Sequence, residues 1–488
     1  MIVDRLLPDL DANIVCGNSL VGSDFYTTED LIGLTPDEGA EVNAFDWSTA
    51  FPQIAESHGF DAVVGNPPWL MAGYYVADSM PYFSRNYQTC TGKVDLYYLF
   101  LEKAIRLVNN SGRIGMIVPS KLFHTRAAKA LRQMLAEGGW VQEIVDFGTD
   151  KIFSDATNYS CILSMSASSS GPVEVIRAGK NFSNLSKFTM ERSELGSSPW
   201  HLIDPERRGL WEKIQSGTTT LESLCSHFGN GVQSGADSML ILSPEERDAL
   251  GVEVEACAPI LKGKNVRRFR ATPSEVLVFP YLRTENEFRV MDEDQLAVRF
   301  PGTFDYLQTH RADLERRRWF KKGPVELSGT WYGMMYLDKP SSFDGPHLVT
   351  PALAGGSNFA SDEDTLFVTG TAGVSSVILR STDEEHRYFV LGVLNSTLLS
   401  EFLIDHSTPY QGNYFKFSAP YIRNAPIKVP DEKFPGSKQM AADISAVSMA
   451  LTDSQHAPAE LTKLNKRLND LVLELYQVDD SELACLNL

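Results

Sequence analysis

The stretch FDAVVGNPPWLMAG, Phe60 to Gly73, constrains this chain more than any other. Val63 and Val64 close an apolar run with the character of a buried parallel strand. Gly65 opens a turn. Pro67 and Pro68 then exclude a helix or a sheet ladder, because neither nitrogen carries a hydrogen and both rings fix φ. An aromatic, Trp69, follows. A stiff loop of this kind at the carboxyl end of a strand lies where open α/β sheets bind ligands.

The surrounding pattern extends that reading over residues 10–165. ANIVCGN, Ala12 to Asn18, reads as a short strand. DLYYLFLEKAIRLVNNSG reads as a helix with Leu96, Leu99, Phe100, Ala104 and Leu107 on one face and Gly112 as its stop. RIGMIVPS reads as a buried strand ending at Pro119. Ser120 is placed to cap a following helix that ends at Gly138 and Gly139. VQEIVDFG and YSCILSMSA complete the strands. Strands separated by helices of this length predict βαβ units and a mainly parallel sheet. SASSSG, Ser166 to Gly171, reads as a surface connection, so residues 1–170 form one domain and 171–215 a linker region.

Residues 216–488 carry a different, mixed α/β pattern. FGNGVQSGADSMLIL reads as a Gly-rich turn, best as a hairpin, entering a strand. EVLVFPYL and TLFVTG are strand-like. RYFVLGVLNSTLLSEFLI reads as a strand or buried segment passing into a helix near Asn395, and PAELTKLNKRLNDLVLELYQ as a terminal helix.

Composition excludes several classes. No apolar run among the 488 residues reaches membrane-spanning length, so no membrane is expected. MIVDRLLPDLDANIV has neither the basic region nor the cleavage site of a signal peptide. The six cysteines are scattered without a CxxC pair, as in free thiols of a reducing cytoplasm, and offer no zinc site. A net charge of −19 argues against a polyanionic partner, yet residues 1–60 alone hold eleven acids against one arginine. Two basic clusters stand out: LKGKNVRRFR with Lys262, Lys264, Arg267 and Arg268, and RRRWFKK with Arg316, Arg317, Arg318, Lys321 and Lys322. Taken alone they read as solvated surface strips. Basic residues interleaved with aromatics also suit phosphate contacts and base stacking.

The chemistry open to Asn-Pro-Pro-Trp is specific. An exocyclic amino group on a nucleobase is a poor nucleophile, because its lone pair is delocalised into the ring. Two acceptors, one for each N–H, draw it toward pyramidal geometry. The Asn66 side-chain oxygen and the Pro67 carbonyl can serve, and the two prolines orient them in advance. Trp69 offers a flat face for stacking. A base inside a duplex must be flipped out to reach such a loop.

NPPW after a buried strand resembles the catalytic motif of N6-adenine-specific DNA methyltransferases. GKVDLYYLFLEKAIRLV, GRIGMIVPSKLF and VDFGTDKIFSDATNYSCIL resemble, in order, the later motifs of the single-chain, type IIG-like restriction–modification subgroup. ILKGKNVRRF, WYGMMYLDKP, YFVLGVLNST and SAPYIRNAPIKVP are similar to its TaqI-like target-recognition domain. The resemblance implies a partial Rossmann-like sheet lacking its first strands, followed by that domain. It implies that Asn66, Pro67, Pro68 and Trp69 form the catalytic loop, that Trp69 and Phe153 hold the flipped adenine, and that Asp95 and Phe100 border the cofactor S-adenosylmethionine. A packed loop anchor is the simpler alternative for Trp69, and a core aromatic for Phe100 and Phe153.

The subgroup's Gly-rich cofactor loop and first strands have no counterpart here. FGNGVQSG, Phe228 to Gly235, and VTGTAGVSS, Val368 to Ser376, have the glycines but strand-like surroundings. The strand FDAVV is therefore expected to present an open apolar edge, which proteins avoid. The expectation is a site-specific adenine methyltransferase of a restriction–modification or phage-defence system, acting on double-stranded DNA with an N-terminal partner polypeptide. The alternative is a catalytically inactive DNA-specificity subunit or a truncated remnant.

Overall fold

The structure is a computed structural model that describes residues 13–27, 41–75, 79–150, 152–153, 159–167, 169–183, 185–363, 365–370, 373–410, 412–431, 434–453 and 456–486. The chain divides into two compact units, Met1–Pro205 and Glu206–Leu488.

The first unit is built on a six-stranded sheet. Its strands are β1 (Phe60–Gly65), β2 (Val108–Pro119), β3 (Val141–Asp146), β4 (Ser160–Ser166), β5 (Val173–Arg177) and β6 (Ser186–Met190), in the spatial order β1-β2-β4-β3-β5-β6. β1 and β2 are parallel, with Val63 opposite Ile114 and Gly65 opposite Met116. The helix α1 (Leu96–Leu107) joins them. This is a Rossmann-like α/β arrangement, but it is mixed where a mainly parallel sheet was expected. β4 lies between β2 and β3 and runs antiparallel to both. A parallel neighbour needs a crossover, usually a helix. No helix occurs among the described residues between β3 and β4.

Other expectations are corrected here. Ile14–Cys16 is not a strand; Asn18 only forms an isolated bridge to Ala44. α1 ends at Leu107 and passes straight into β2, so Gly112 is no helix stop. A Cβ on Gly112 would sit 2.7 Å from the Phe60 carbonyl oxygen and 2.9 Å from that of Asp61, so glycine lets β2 approach β1. Ser120 caps nothing. Its N–H donates to the Tyr159 carbonyl, and short 3₁₀ turns precede the helix α2 (Lys129–Glu137). The linker expected over 171–215 contributes β5 and β6 to the sheet.

α1 is buried nearly all round: Leu96, Tyr97, Tyr98, Leu99, Leu101 and Ala104 lie in the core. Each large apolar side chain there contributes about 1.5–3 kcal/mol. Glu102 is buried on the same helix and is satisfied by the N–H groups of Gln88 and Thr89 and by the Thr89 hydroxyl. Arg132 on α2 is also buried and donates to the carbonyls of Leu122, Thr125, Ser197 and Ser198.

The second unit holds two four-stranded sheets. With β7 (Cys225–Gly229), β8 (Ile241–Leu242), β9 (Cys257–Leu261), β10 (Glu275–Val278), β11 (Pro346–Pro351), β12 (Ala360–Glu363), β13 (Leu366–Phe367) and β14 (Val374–Leu379), their orders are β8-β10-β9-β13 and β12-β11-β14-β7. FGNGVQSG is no hairpin. β7 pairs with β14, whereas Val232–Gln233 pairs with Tyr336–Leu337. RYFVLGVLNSTLLSEFLI is two helices, α3 (Glu384–Asn395) and α4 (Thr397–Asp405), bent at 62°. The Ser396 side chain caps α4 through the Leu399 N–H. α3 packs on α5 (Ser437–Thr452), where Gly392 admits Ser448, and α5 packs on the expected terminal helix, α6 (Pro458–Tyr476). No single helix among the described residues is long and apolar enough to cross a membrane. No disulfide joins any of the six cysteines.

Candidate active site and nucleic-acid interface

β1 delivers Asn66, Pro67, Pro68 and Trp69 at its carboxyl end. Asn66 and Pro68 are exposed, Pro67 is buried and Trp69 is half-buried. The loop's exit is fastened to the start of α1. The Leu96 N–H donates to the Leu70 carbonyl and the Ala72 N–H to the Val94 carbonyl, both at 2.8 Å, and Met71 bridges Asp95. Asp95 is buried, and both of its carboxylate oxygens lie 3.0 Å from the Lys121 ammonium, which follows β2. The carboxyl ends of β1 and β2 are thus tied together through the N-terminus of α1. A buried ion pair of this kind resists removal of either partner, because the other charge is left uncompensated.

Trp69 and Phe153 are brought into contact. Their ring centroids are 5.6 Å apart, with the planes at 72°. Phe153 is 39% exposed. Parallel rings enclosing a base stand about 7 Å apart, twice an optimal carbon–carbon contact, so one of the two rings must turn before a base can lie between them. The Trp69 Nε1–H is buried and finds no acceptor among the described residues, a feature no sequence pattern signals. Phe100 is partly buried and packs against the first unit's core. At the end of β3, burial pushes the Asp146 carboxyl above its usual range against the pull of the Gly148 N–H and Arg177.

In the second unit, Lys262, Lys264 and Arg267 line a cavity of about 1000 Å³ with Tyr410, Asn413 and Tyr414. Lys262 and Lys264 share Glu275, at 2.9 and 3.0 Å. Burial pushes that carboxyl up, but the two ammonium groups together hold it below its ordinary value. Arg267 is exposed and donates to the Val266 carbonyl. Arg268 donates instead to the Asn395 carbonyl.

The second cluster divides more sharply. Arg316 pairs with Asp313 and Lys322 with Glu326. Arg318 donates to the carbonyls of Glu315 and Arg317, and Lys321 is exposed. Arg317, expected among the DNA contacts, is only 7% exposed; it donates to the carbonyls of Leu314, Ser234 and Trp331. Burial pushes its guanidinium down to about 10, so it remains charged at neutral pH. Its place in the fold is to hold three segments together, because a charge removed from water needs these acceptors. Among the described residues no cluster of His, Cys, Asp or Glu could hold a metal ion.

Residues 11–153 match the family described as Eco57I restriction-modification methylase. The chain is 23% identical over 476 residues to the type II restriction enzyme and methyltransferase RM.Eco57I of Escherichia coli, covering 90% of this chain and 46% of that protein. It is 24% identical over 440 residues to the type II methyltransferase M.XhoI of Xanthomonas vasicola, covering 85% of this chain and 77% of that one. This chain therefore spans less than half the length of the first relative. Among solved structures, the type IIL restriction-modification enzyme MmeI in complex with DNA aligns with a TM-score of 0.60 and 15% identity, over 91% of this chain and 57% of that one. At that identity the likeness concerns the fold.

Proposed function

We propose that this chain, whose residues 11–153 match the Eco57I restriction-modification methylase family and which is similar over most of its length to RM.Eco57I, methylates adenine N6 at a specific site in double-stranded DNA. The observation that carries the proposal is the corner at the end of β1: an exposed Asn66 beside a buried Pro67, braced at its exit by α1 and flanked by Trp69 and Phe153. In this reading the Asn66 side-chain oxygen and the Pro67 carbonyl accept the two hydrogens of the flipped adenine's amino group and direct its lone pair outward. Trp69 and Phe153 stack on the base. Pro67 and Pro68 keep the acceptors in place, so little reorganisation accompanies transfer.

S-adenosylmethionine would supply an electrophilic methyl group on a sulfonium. Asp95, which precedes α1, and Phe100 on α1 are the residues this reading assigns to border it, although the Asp95 carboxylate is engaged by Lys121 and Phe100 packs against the core. The sheet edge supports the rest of the reading. β1 is an outer strand, and Val64 on it is 85% exposed. A bare apolar edge invites a further strand. The cofactor loop would come with that strand, from residues outside this sequence, on the same or a second polypeptide.

A second reading, a DNA-specificity subunit without chemistry, draws on the engaged Asp95 and on the contact that closes the space between Trp69 and Phe153. Incubation with duplex DNA and methyl-labelled S-adenosylmethionine separates the two. The chain is assayed alone and with the product of the adjoining upstream reading frame. Labelled N6-methyladenine supports the enzyme; duplex binding with no label under either condition supports the specificity subunit.

A further inference from the structure

The cluster RRRWFKK ends in a strained tip. Trp319 and Lys322 exchange two backbone hydrogen bonds, each 2.9 Å, and close a two-residue hairpin. Both central residues lie at positive φ, Phe320 at 46° and Lys321 at 70°. Two-residue hairpins of this form favour Asn-Gly, because a bulky side chain resists left-handed backbone. Here the strained position carries a phenylalanine that is 86% exposed. Behind it, Trp319 stacks on the Phe320 ring at 24° and meets Tyr336 edge-on. Beneath both, buried Arg317 fastens the hairpin's base to Ser234 and Trp331. Arg317 is buried and Trp319 half-buried, while the tip is apolar and exposed. Arg316, Arg318, Lys321 and Lys322 flank Phe320 in sequence and are all exposed; Arg316 and Lys322 pair at the surface with Asp313 and Glu326.

Strain kept at an aromatic this exposed buries little beyond its stack on Trp319. An exposed apolar wedge with exposed cations beside it in the chain complements stacked bases within a phosphate frame. We propose that Phe320 is a wedge that inserts between stacked base pairs of duplex DNA and opens the stack. The proposal rests on the reading of this chain as a DNA methyltransferase and goes beyond it. Phe320 has no polar atom with which to read a base, so its contribution is to unstacking, which base extrusion requires.

The test uses relaxed closed-circular plasmid with topoisomerase, so no recognition site need be known. The full chain carries wild-type Phe320, Phe320→Asn or Phe320→Tyr. The expected result is plasmid unwinding by wild type and by Phe320→Tyr and none by Phe320→Asn, with duplex affinity changed less than about tenfold. Phe320→Asn should also raise Tm, since asparagine tolerates this backbone, so loss of unwinding cannot be ascribed to misfolding. Equal unwinding by wild type and Phe320→Asn overturns the wedge while leaving DNA binding intact. Failure of wild type to bind duplex overturns both readings. Binding of wild type to phosphatidylserine vesicles, lost in Phe320→Asn and unaccompanied by plasmid unwinding, would assign the tip to a membrane surface and overturn the wedge.

Discussion

Trp69 and Phe153 touch edge to face with their centroids 5.6 Å apart, an arrangement that must open before a base can lie between them. Phe153, the more exposed ring, is the one expected to turn. Phe153→Ala should lower kcat/KM for methyl transfer by roughly 5- to 150-fold, from the ~1–3 kcal/mol that base–aromatic stacking contributes. Steady-state kinetics across a DNA concentration series checks this. An unchanged kcat/KM would leave Phe153 as packing for Trp69.

Glu275 restrains two lysines of the basic cavity. Glu275→Gln should therefore tighten duplex binding and steepen the dependence of log K on log salt by up to about 2, since each released phosphate contact contributes about 0.9. Acid has a related effect on stability. The folded Glu275 carboxyl lies below its ordinary 4.5, so its stabilising contribution is present above pH 4.5 and is lost as pH falls through the folded value. Chemical denaturation of wild type and Glu275→Gln between neutral pH and pH 3 should show the two converging at the acid end.

Arg317 and Lys321 are four residues apart and opposite in role. Arg317→Ala leaves three carbonyls without their charged donor and should destabilise the second unit by about 3 kcal/mol or more. Lys321→Ala should leave stability within about 0.5 kcal/mol and reduce the salt slope of duplex binding by about 0.9. A stable Arg317→Ala with a reduced slope would return Arg317 to the phosphate-contacting set.

The exposed edge of β1 gives a further test. Val64→Lys should change the stability of the isolated chain by less than about 0.5 kcal/mol, because Val64 buries little. If a strand bearing the cofactor loop pairs there, the same change abolishes methyl transfer in the completed enzyme. Full activity would place that strand elsewhere.

The loop after β1 was legible as a stiff corner because its signal is chemical and local. Two prolines without donors, an amide before them and an aromatic after them permit few conformations, and the structure keeps all four at the end of β1. The outer position of β1 was expected from the family resemblance, whose first strands have no counterpart in this sequence. Sheet direction was not legible, since β4 runs antiparallel to β3, with no crossover helix among the described residues between them. The apolar run through Val390 and Leu394 is buried all round and lacks a face, so its periodicity could not separate helix from strand. Arg316 and Arg317 look alike in sequence. What buries the second is a carbonyl 83 residues away, at Ser234.

The central claim is that Asn66 and Pro67 hold the adenine amino group while other residues hold the DNA. Asn66→Ala tests it most directly, with labelled methyl transfer and duplex titration measured on the same preparation. The account predicts transfer reduced by about 100-fold or more, the scale for loss of one preorganised polar partner, with duplex affinity unchanged. Transfer retained within a few-fold of wild type, or affinity lost in parallel with it, would contradict the account.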